Sequence, residues 1–169
     1  MAIYFVYLAG NHKDSSDWRQ EFNQYNSGLN IKSEITLIGI DPFKRHIDEN
    51  ESLTIVRRDV AILSDKRLSH VILMSDQGCG MLSTGTACEM ILARAMGKPV
   101  IVITSGTDKW IHPFTLHFAS HIVETITEAT LFIRADLAGD KNHGHLTDDL
   151  ASLSGYDFSS PDIDPFMTR

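Results

Sequence analysis

Residues 70–104, HVILMSDQGCGMLSTGTACEMILARAMGKPVIVIT, decide the fold that the sequence predicts. Two short runs rich in apolar residues, 70–74 and 99–104, flank a Gly-rich loop and a helical segment over 86–97. Gly97 is placed to end that helix, since glycine favours the position just past a helix end. A strand, a helix and a second strand in this order predict a parallel βαβ unit.

The rest of the chain extends the same alternation. Further strands are predicted at 2–9, 34–40 and 121–123, and further helices at 14–25, 50–67 and 126–137. The predicted fold is therefore α/β: a single-domain, doubly wound (Rossmann- or flavodoxin-like) parallel sheet of five strands with helices on both faces. The helix at 50–67 carries one apolar stripe, made of Leu53, Val56, Val60 and Leu63.

Composition narrows the possible partners and compartments. The chain has 169 residues and a net charge of −7, which argues against binding a nucleic acid polymer but leaves room for one small anionic ligand. The chain has only two cysteines, which form neither a CxxC pair nor a framework of four or more. This pattern favours a reducing compartment. The apolar run at 2–9 is too short for a signal peptide or a membrane span. We expect a cytoplasmic protein without a membrane partner.

The composition changes after the last predicted helix. Residues 138–169 contain six aspartates, one lysine and one arginine, which give this segment −4 of the net −7. We predict a domain at 1–137 and an acidic tail at 138–169, either loosely held or lying over the ligand crevice as a lid. His143 and His145 in the tail are expected to be solvent-exposed rather than metal ligands.

Ligands of parallel α/β sheets bind outside the carboxyl ends of the strands. In this chain the segment Ser83-Thr84-Gly85-Thr86-Ala87-Cys88-Glu89 leads from such an end into a helix. Thr86-x-x-Glu89 has the letters of a capping box, in which Glu89 would only stabilise the helix start. Alternatively, the helix dipole keeps Glu89 ionised at the crevice, where a carboxylate can attack an anomeric carbon.

Several short motifs between residues 3 and 133 occur in an order that is known from one family. They are Tyr7-Leu8-Ala9-Gly10, Trp18-Arg19, Asp41-Pro42, Arg57-Arg58-Asp59, Gly85-Thr86-Ala87 with Glu89, Gly97-Lys98-Pro99-Val100-Ile101, and His112-Pro113-Phe114. With them the chain resembles the nucleoside 2-deoxyribosyltransferase-like family, including its deoxynucleoside 5′-monophosphate N-glycosidase branch. The His-Pro-Phe motif departs from the family, which often has Ser-Pro-Trp there.

The resemblance implies three catalytic residues. Glu89 matches the family's catalytic glutamate, which is the nucleophile. Asp59 matches an aspartate near the leaving base, which is thought to assist the protonation of that base. Tyr7 matches the tyrosine that orients the glutamate. From the residues alone, Asp59 can instead be a solvated carboxylate paired with Arg57 or Arg58, and Tyr7 a core aromatic.

The resemblance also implies where the substrate binds. The expected binding residues are Gly10, Asn11, Asp41, Ser83, Thr84, Gly85 and His112. Ser83 stands six residues before Glu89, where nucleoside-specific relatives have an aspartate that binds the 5′-hydroxyl. A neutral serine beside a helix N-terminus favours a 5′-phosphate, although Ser83 can also be just an N-cap, and Asp76 can fold back into the hydroxyl-binding role.

The activity that follows is cleavage of the N-glycosidic bond of a 2′-deoxynucleoside or its 5′-monophosphate through a covalent glycosyl-enzyme. The sugar passes to water, which Ser83 modestly favours, or to a second base. The resemblance implies no metal, no organic cofactor, and a homodimer or larger homo-oligomer. The alternative from another class is a non-catalytic nucleotide sensor that keeps the binding site without turnover.

Overall fold

A computed structural model describes residues 2–10, 18–31, 33–42, 52–75, 82–104 and 111–139. Asn11, Asp76 and the tail from residue 140, including His143 and His145, lie outside the described residues. In the described chain, strands and helices alternate throughout. They are β1 (Ala2–Ala9), α1 (Trp18–Asn30), β2 (Ile35–Ile40), α2 (Ser52–Leu63), β3 (Leu68–Met74), α3 (Thr84–Ala95), β4 (Val100–Ile103), α4 (Pro113–Phe118), β5 (His121–Val123) and α5 (Ile126–Leu137).

The five strands form one parallel sheet in the order β2-β1-β3-β4-β5. This is the flavodoxin-like order, in which the chain reverses its direction of travel across the sheet between β1 and β3. The predicted fold class is therefore confirmed. The carboxyl ends of β1 and β3 lie side by side at this switch point, where such folds bind their ligands.

The sheet is covered on both faces, because two separate groups of buried side chains pack against it. One group includes Trp18 of α1 and Ile133 of α5. The other includes Leu63 of α2 and Met90 of α3. Successive strand residues point to opposite faces, and so the fully buried Tyr7 lies on the face that α2 and α3 cover.

Most of the predicted boundaries agree with the structure. β1 and α5 have the bounds predicted from the sequence, while α2 ends at Leu63 instead of residue 67. Helix α4 was not predicted. Within the apolar stripe of α2, Leu63 is buried, but Leu53 is 59% and Val56 is 56% exposed. The stripe is therefore only partly covered by the described chain.

Strand β2 packs tightly on β1 and α1 at Gly39. A Cβ atom there would lie 2.6 Å from Leu8 Cδ1 and 2.8 Å from Phe22 Cδ1. The Asn23 side chain accepts a hydrogen bond from the Gly39 amide at 2.9 Å. These contacts fix the end of β2, directly before Asp41.

None of the helices in the described ranges combines the length and the apolar character that a membrane span requires.

Candidate active site

The candidate active site is built around a hydrogen bond between Tyr7 and Glu89. The Tyr7 hydroxyl donates to Glu89 Oε1 at 2.6 Å and joins residues 82 positions apart. Tyr7 stands near the carboxyl end of β1, and Glu89 projects from α3, the helix that follows β3. The structure thus brings together two of the three predicted catalytic residues at the switch point of the sheet.

Helix α3 begins three residues earlier than the predicted capping box requires. Its N-cap is Ser83, whose Oγ accepts a hydrogen bond from the Thr86 amide at 3.3 Å. The capping-box interpretation of Thr86 and Glu89 is therefore wrong. Glu89 is the sixth residue of the helix and lies in its second turn, where the dipole of the helix N-terminus has little effect.

Burial, rather than the helix dipole, dominates the electrostatics of Glu89. The pKa of this carboxyl is raised from 4.5 to about 7, mainly by desolvation, and the negative charge of Asp59 contributes to the rise. The hydrogen bond from Tyr7 and the charges of Arg19 and Arg58 act in the opposite direction. Burial therefore opposes the ionised form that the helix dipole was expected to favour, and the charge of Glu89 depends mainly on its burial and its neighbours.

Tyr7 remains a hydrogen-bond donor under all ordinary conditions. Burial raises the pKa of its hydroxyl above the usual value, and the nearby carboxylates of Glu89 and Asp59 raise it further. The proton therefore stays on the tyrosine, and Glu89 is the acceptor. A buried aromatic that donates to a half-buried carboxylate fixes the orientation of that carboxylate.

Asp59 lies on α2 and forms an ion pair with its neighbour Arg58. Arg58 donates to Asp59 Oδ1 from Nη2 at 2.8 Å and from Nε at 2.9 Å. Only 15% of the Asp59 side chain and 20% of the Arg58 side chain are exposed. Asp59 is thus paired with Arg58, as one interpretation predicted, but it is mostly buried rather than solvated. Its charge acts on both Tyr7 and Glu89.

Gly10 and Asp41 lie at the carboxyl ends of β1 and β2, and Arg19 connects them. Arg19 donates to the Gly10 carbonyl from Nη2 at 2.9 Å, and its Nε lies 3.5 Å from Asp41 Oδ1. Gly10 has φ +152°, and a Cβ there would lie 3.3 Å from Met74 Cβ. Glycine is needed at this position because other residues rarely adopt that φ. The sequence motif contained Arg19, but nothing in the letters indicated these contacts.

The remaining predicted binding residues that the structure describes lie at helix starts. The Ser83 hydroxyl also shares a 2.9 Å hydrogen bond with the Thr86 hydroxyl, so part of its capacity is used within α3. Thr84 and Gly85 follow in the first turn and are exposed. His112 is the N-cap of α4, where its Nδ1 accepts from the Phe114 amide at 3.2 Å.

Across the ranges that the structure describes, no cluster of three or more His, Cys, Asp or Glu side chains is arranged to hold a metal ion.

No protein-family model matches the sequence, and no curated protein matches it either. Solved structures do share its fold. A conserved protein from Enterococcus faecalis V583 is 14% identical with a TM-score of 0.54, over 80% of this chain and 99% of that one. At this identity the similarity concerns the fold, and it agrees with the five-stranded parallel sheet described above.

Two further solved structures are enzymes by their descriptions. The CMP N-glycosidase BcmB from Clostridium botulinum is 16% identical with a TM-score of 0.49, over 79% of this chain and 98% of that one. A 2-desoxiribosyltransferase from Leishmania mexicana is 18% identical with a TM-score of 0.45, over 60% of this chain. The chain spans 65% of the length of the Leishmania mexicana protein.

Proposed function

We propose that the protein cleaves the N-glycosidic bond of a 2′-deoxynucleoside or its 5′-monophosphate. The observation that carries this proposal is the hydrogen bond between Tyr7 and Glu89 at the switch point of the sheet. It holds a carboxylate that is only partly exposed at the edge where parallel sheets bind ligands. The ordered motifs of the sequence resemblance support the same assignment.

In the proposed reaction the ionised Glu89 attacks C1′ of the sugar. A bond forms between a Glu89 oxygen and C1′, while the bond between C1′ and the base nitrogen breaks with its electron pair leaving on the base. Asp59 assists the protonation of the departing base. Water then attacks C1′, the bond between C1′ and the Glu89 oxygen breaks with its electron pair returning to the carboxylate, and the proton that the water loses balances the one taken up by the base.

Tyr7 has a positioning role in this scheme. A short hydrogen bond to one carboxylate oxygen fixes the rotation of the carboxyl group, and the second oxygen is left to approach the sugar. Correct orientation of a nucleophile contributes a large part of many enzymatic rate enhancements. The Tyr7 hydrogen bond also favours the ionised form of Glu89, which is the form that attacks.

A 5′-monophosphate with water as the acceptor is the favoured form of the proposal. Its support is the neutral Ser83 and the exposed first turn of α3, where Thr84 and Gly85 present a helix N-terminus. Backbone N–H groups at such a terminus suit a phosphate. The assignments of Gly10, Asn11, Asp41 and His112 to the binding site, the homo-oligomer and the cytoplasmic location remain predictions from the sequence.

The proposal is tested by incubating the protein with a panel of nucleosides and 5′-monophosphates, with and without an added acceptor base, and measuring free base by chromatography. Release from monophosphates without an acceptor is the expected result. Glu89→Gln should abolish release, while Glu124→Gln, which changes an exposed glutamate, should not. Intact-protein mass spectrometry should detect a sugar adduct that depends on Glu89.

The same experiment distinguishes the proposed enzyme from a non-catalytic nucleotide sensor. A wild-type protein that binds a nucleotide, as measured by calorimetry, but releases no base from any compound on the panel would contradict the enzymatic proposal. Exchange of bases on unphosphorylated nucleosides would instead overturn the preference for phosphate and water. Base release that persists in Glu89→Gln would remove Glu89 as the nucleophile.

A further inference from the structure

The guanidinium of Arg19 makes an unusual set of contacts for the second residue of a helix. Its Nε donates to the Leu8 carbonyl at 3.0 Å, and its Nη2 donates to the Gly10 carbonyl at 2.9 Å. Its Nε also lies 3.5 Å from Asp41 Oδ1. Its Cζ lies 4.7 Å from the centre of the Trp18 ring. Only 12% of the Arg19 side chain is exposed, so these contacts hold it in one place.

These contacts lie at the end of β1, beyond its last residue that pairs with β2. The pairing of β1 with β2 ends at Tyr7 and Ile40, whereas the pairing of β1 with β3 continues to Ala9 and Leu73. Arg19 binds two carbonyls beyond this point, those of Leu8 and Gly10. Main-chain carbonyls need a hydrogen-bond partner when they are buried. A side chain from α1 therefore supplies two of the hydrogen bonds at the end of β1.

The peptide that Arg19 holds directly follows Tyr7. The position of Tyr7 depends on the path of this backbone, and the orientation of Glu89 depends on Tyr7. Beyond Leu8, the chain reaches Gly10 with the positive φ that leads into the first loop. A shift of the backbone at this point would move the hydroxyl on which the Glu89 carboxylate is oriented.

Arg19 also supplies positive charge to the site. The charged or titratable groups that act on Glu89 are Tyr7 from β1, Arg58 and Asp59 from α2, and Arg19 from α1. Asp59 is closely paired with Arg58 at 2.8 Å, and Arg19 lies 3.5 Å from Asp41, so part of the charge is cancelled in both pairs. Arg19 approaches from the opposite face of the sheet and favours the ionised carboxylate.

We infer that Arg19 is a positioning residue of the candidate active site, which holds the backbone after Tyr7, and through it the orientation of Glu89, and adds positive charge at this end of the sheet. The part of this inference that concerns turnover rests on the proposed function. The part that concerns Glu89 does not, because it describes the protein without substrate. Two substitutions separate geometry from charge. Arg19→Lys keeps the charge but cannot form the two-pronged contact, and Arg19→Gln removes both.

The experiment combines a titration and a rate measurement on the full-length protein. Carbon-13 NMR of protein labelled at the glutamate side-chain carboxyls, with Glu89→Gln for assignment, gives the midpoint of Glu89, expected at about 7 in the wild type. Base release gives kcat and KM across the same pH range. Arg67→Gln is the matched control, because Arg67 pairs with Asp65 just before the amino end of β3.

In Arg19→Gln the Glu89 midpoint should lie above that of the wild type. In Arg19→Lys the midpoint should stay near the wild-type value, while kcat falls by roughly 10-fold to 100-fold with little change in KM, as expected for a displaced reacting group. Arg67→Gln should change neither. An unchanged midpoint in Arg19→Gln, or a wild-type kcat in Arg19→Lys, would overturn the inference.

The experiment still tests the inference in two less favourable cases. If the wild type releases no base, the proposed function fails, but the Glu89 midpoints of the variants still test the charge of Arg19. If Arg19→Gln does not fold, as judged by circular dichroism, Arg19→Lys decides alone. It supports the inference only with a wild-type midpoint and a reduced kcat, and either a displaced midpoint or a wild-type kcat contradicts it.

Discussion

Replacing Tyr7 with phenylalanine tests the central hydrogen bond of the site. Tyr7→Phe keeps the buried ring and removes the hydroxyl that donates to Glu89 Oε1 at 2.6 Å. This hydrogen bond favours ionised Glu89, so its loss should raise the pKa of that carboxyl above the value of about 7 in the intact site. The nucleophile must be ionised, and therefore the pH below which activity is lost should rise.

The size of the effect follows from the strength of such a bond. A hydrogen bond to a charged group contributes about 1.5–3 kcal/mol, and a change of one pKa unit corresponds to about 1.4 kcal/mol. The acid limb of kcat/KM should therefore move upward by roughly 1 to 2 pH units. At pH 6, below the limb in both proteins, the variant should lose roughly 10-fold to 100-fold in kcat/KM.

The assay is the pH dependence of kcat/KM for base release, which reports the ionisations of the free enzyme. A 5′-monophosphate itself loses a proton near pH 6. Because this ionisation affects both enzymes equally, the result is the difference between the pH profiles of the variant and the wild type. Tyr4→Phe makes the same change on the opposite face of β1 and should leave the limb in place. Asp59→Asn should move it downward, since the Asp59 charge raises the pKa of Glu89.

An acid limb of kcat/KM that lies at the wild-type pH in Tyr7→Phe, or at a lower pH, would refute this reasoning. Either result would mean that the hydroxyl does not stabilise the ionised carboxylate. Tyr7 would then be a core aromatic whose hydroxyl merely finds an acceptor.

Three further predictions concern stability. The pKa of Glu89 is higher in the folded state (about 7) than its ordinary value of 4.5, so the folded chain binds more protons between these values and loses stability as the pH rises through this window. Glu89→Gln should therefore be more stable than the wild type by up to about 3 kcal/mol at pH 8, and urea unfolding that shows no gain at pH 8 would contradict this. Gly39→Ala should cost roughly 1–3 kcal/mol in the same assay, because its Cβ would lie 2.6 Å from Leu8 Cδ1; a neutral effect would mean that this packing is loose. Burial lowers the pKa of His70 from 6.5 although Asp136 Oδ2 lies 3.1 Å from its Nε2, so stability should fall as the pH drops below about 6.5, where the unfolded chain takes up the proton. His70→Gln should flatten that fall in thermal melts between pH 7 and 5, and an equally steep fall would assign it to other groups.

The strand and helix order was predictable because each buried element carries its own pattern. β1 is apolar over its whole length, and α5 is preceded by the N-cap Thr125, which forms a true capping box with Glu128. Both elements have the bounds that the sequence predicted. The sequence predicted a doubly wound parallel sheet but not the order of its strands, since that order depends on contacts between segments far apart in the chain.

The details of α3 were not predictable from the letters. Ser83, Thr84 and Thr86 are all acceptable N-cap residues; the capping-box motif selected Thr86, whereas the alternative that Ser83 is the N-cap is the one that the structure shows. The error placed Glu89 in the first turn and assigned its electrostatics to the helix dipole. Its actual environment depends on burial, which no local pattern reveals.

Arg19 shows a different limit of sequence reasoning. Its partners are main-chain carbonyls at Leu8 and Gly10, and every residue has such a carbonyl. No pairing of residue types could indicate this contact. The apolar stripe on α2 is a similar case, because the letters predict an amphipathic helix but cannot tell whether the chain itself covers Leu53 and Val56.

The separation of Tyr7 and Glu89 by 82 positions has a consequence for biosynthesis and folding. β1 leaves the ribosome before α3, and its tyrosine has no carboxylate to bind until β3 has inserted beside it and α3 has formed. Turnover should therefore appear only late in refolding, after most secondary structure. Recovery of activity would then report the packing of α3 against β1 and β3.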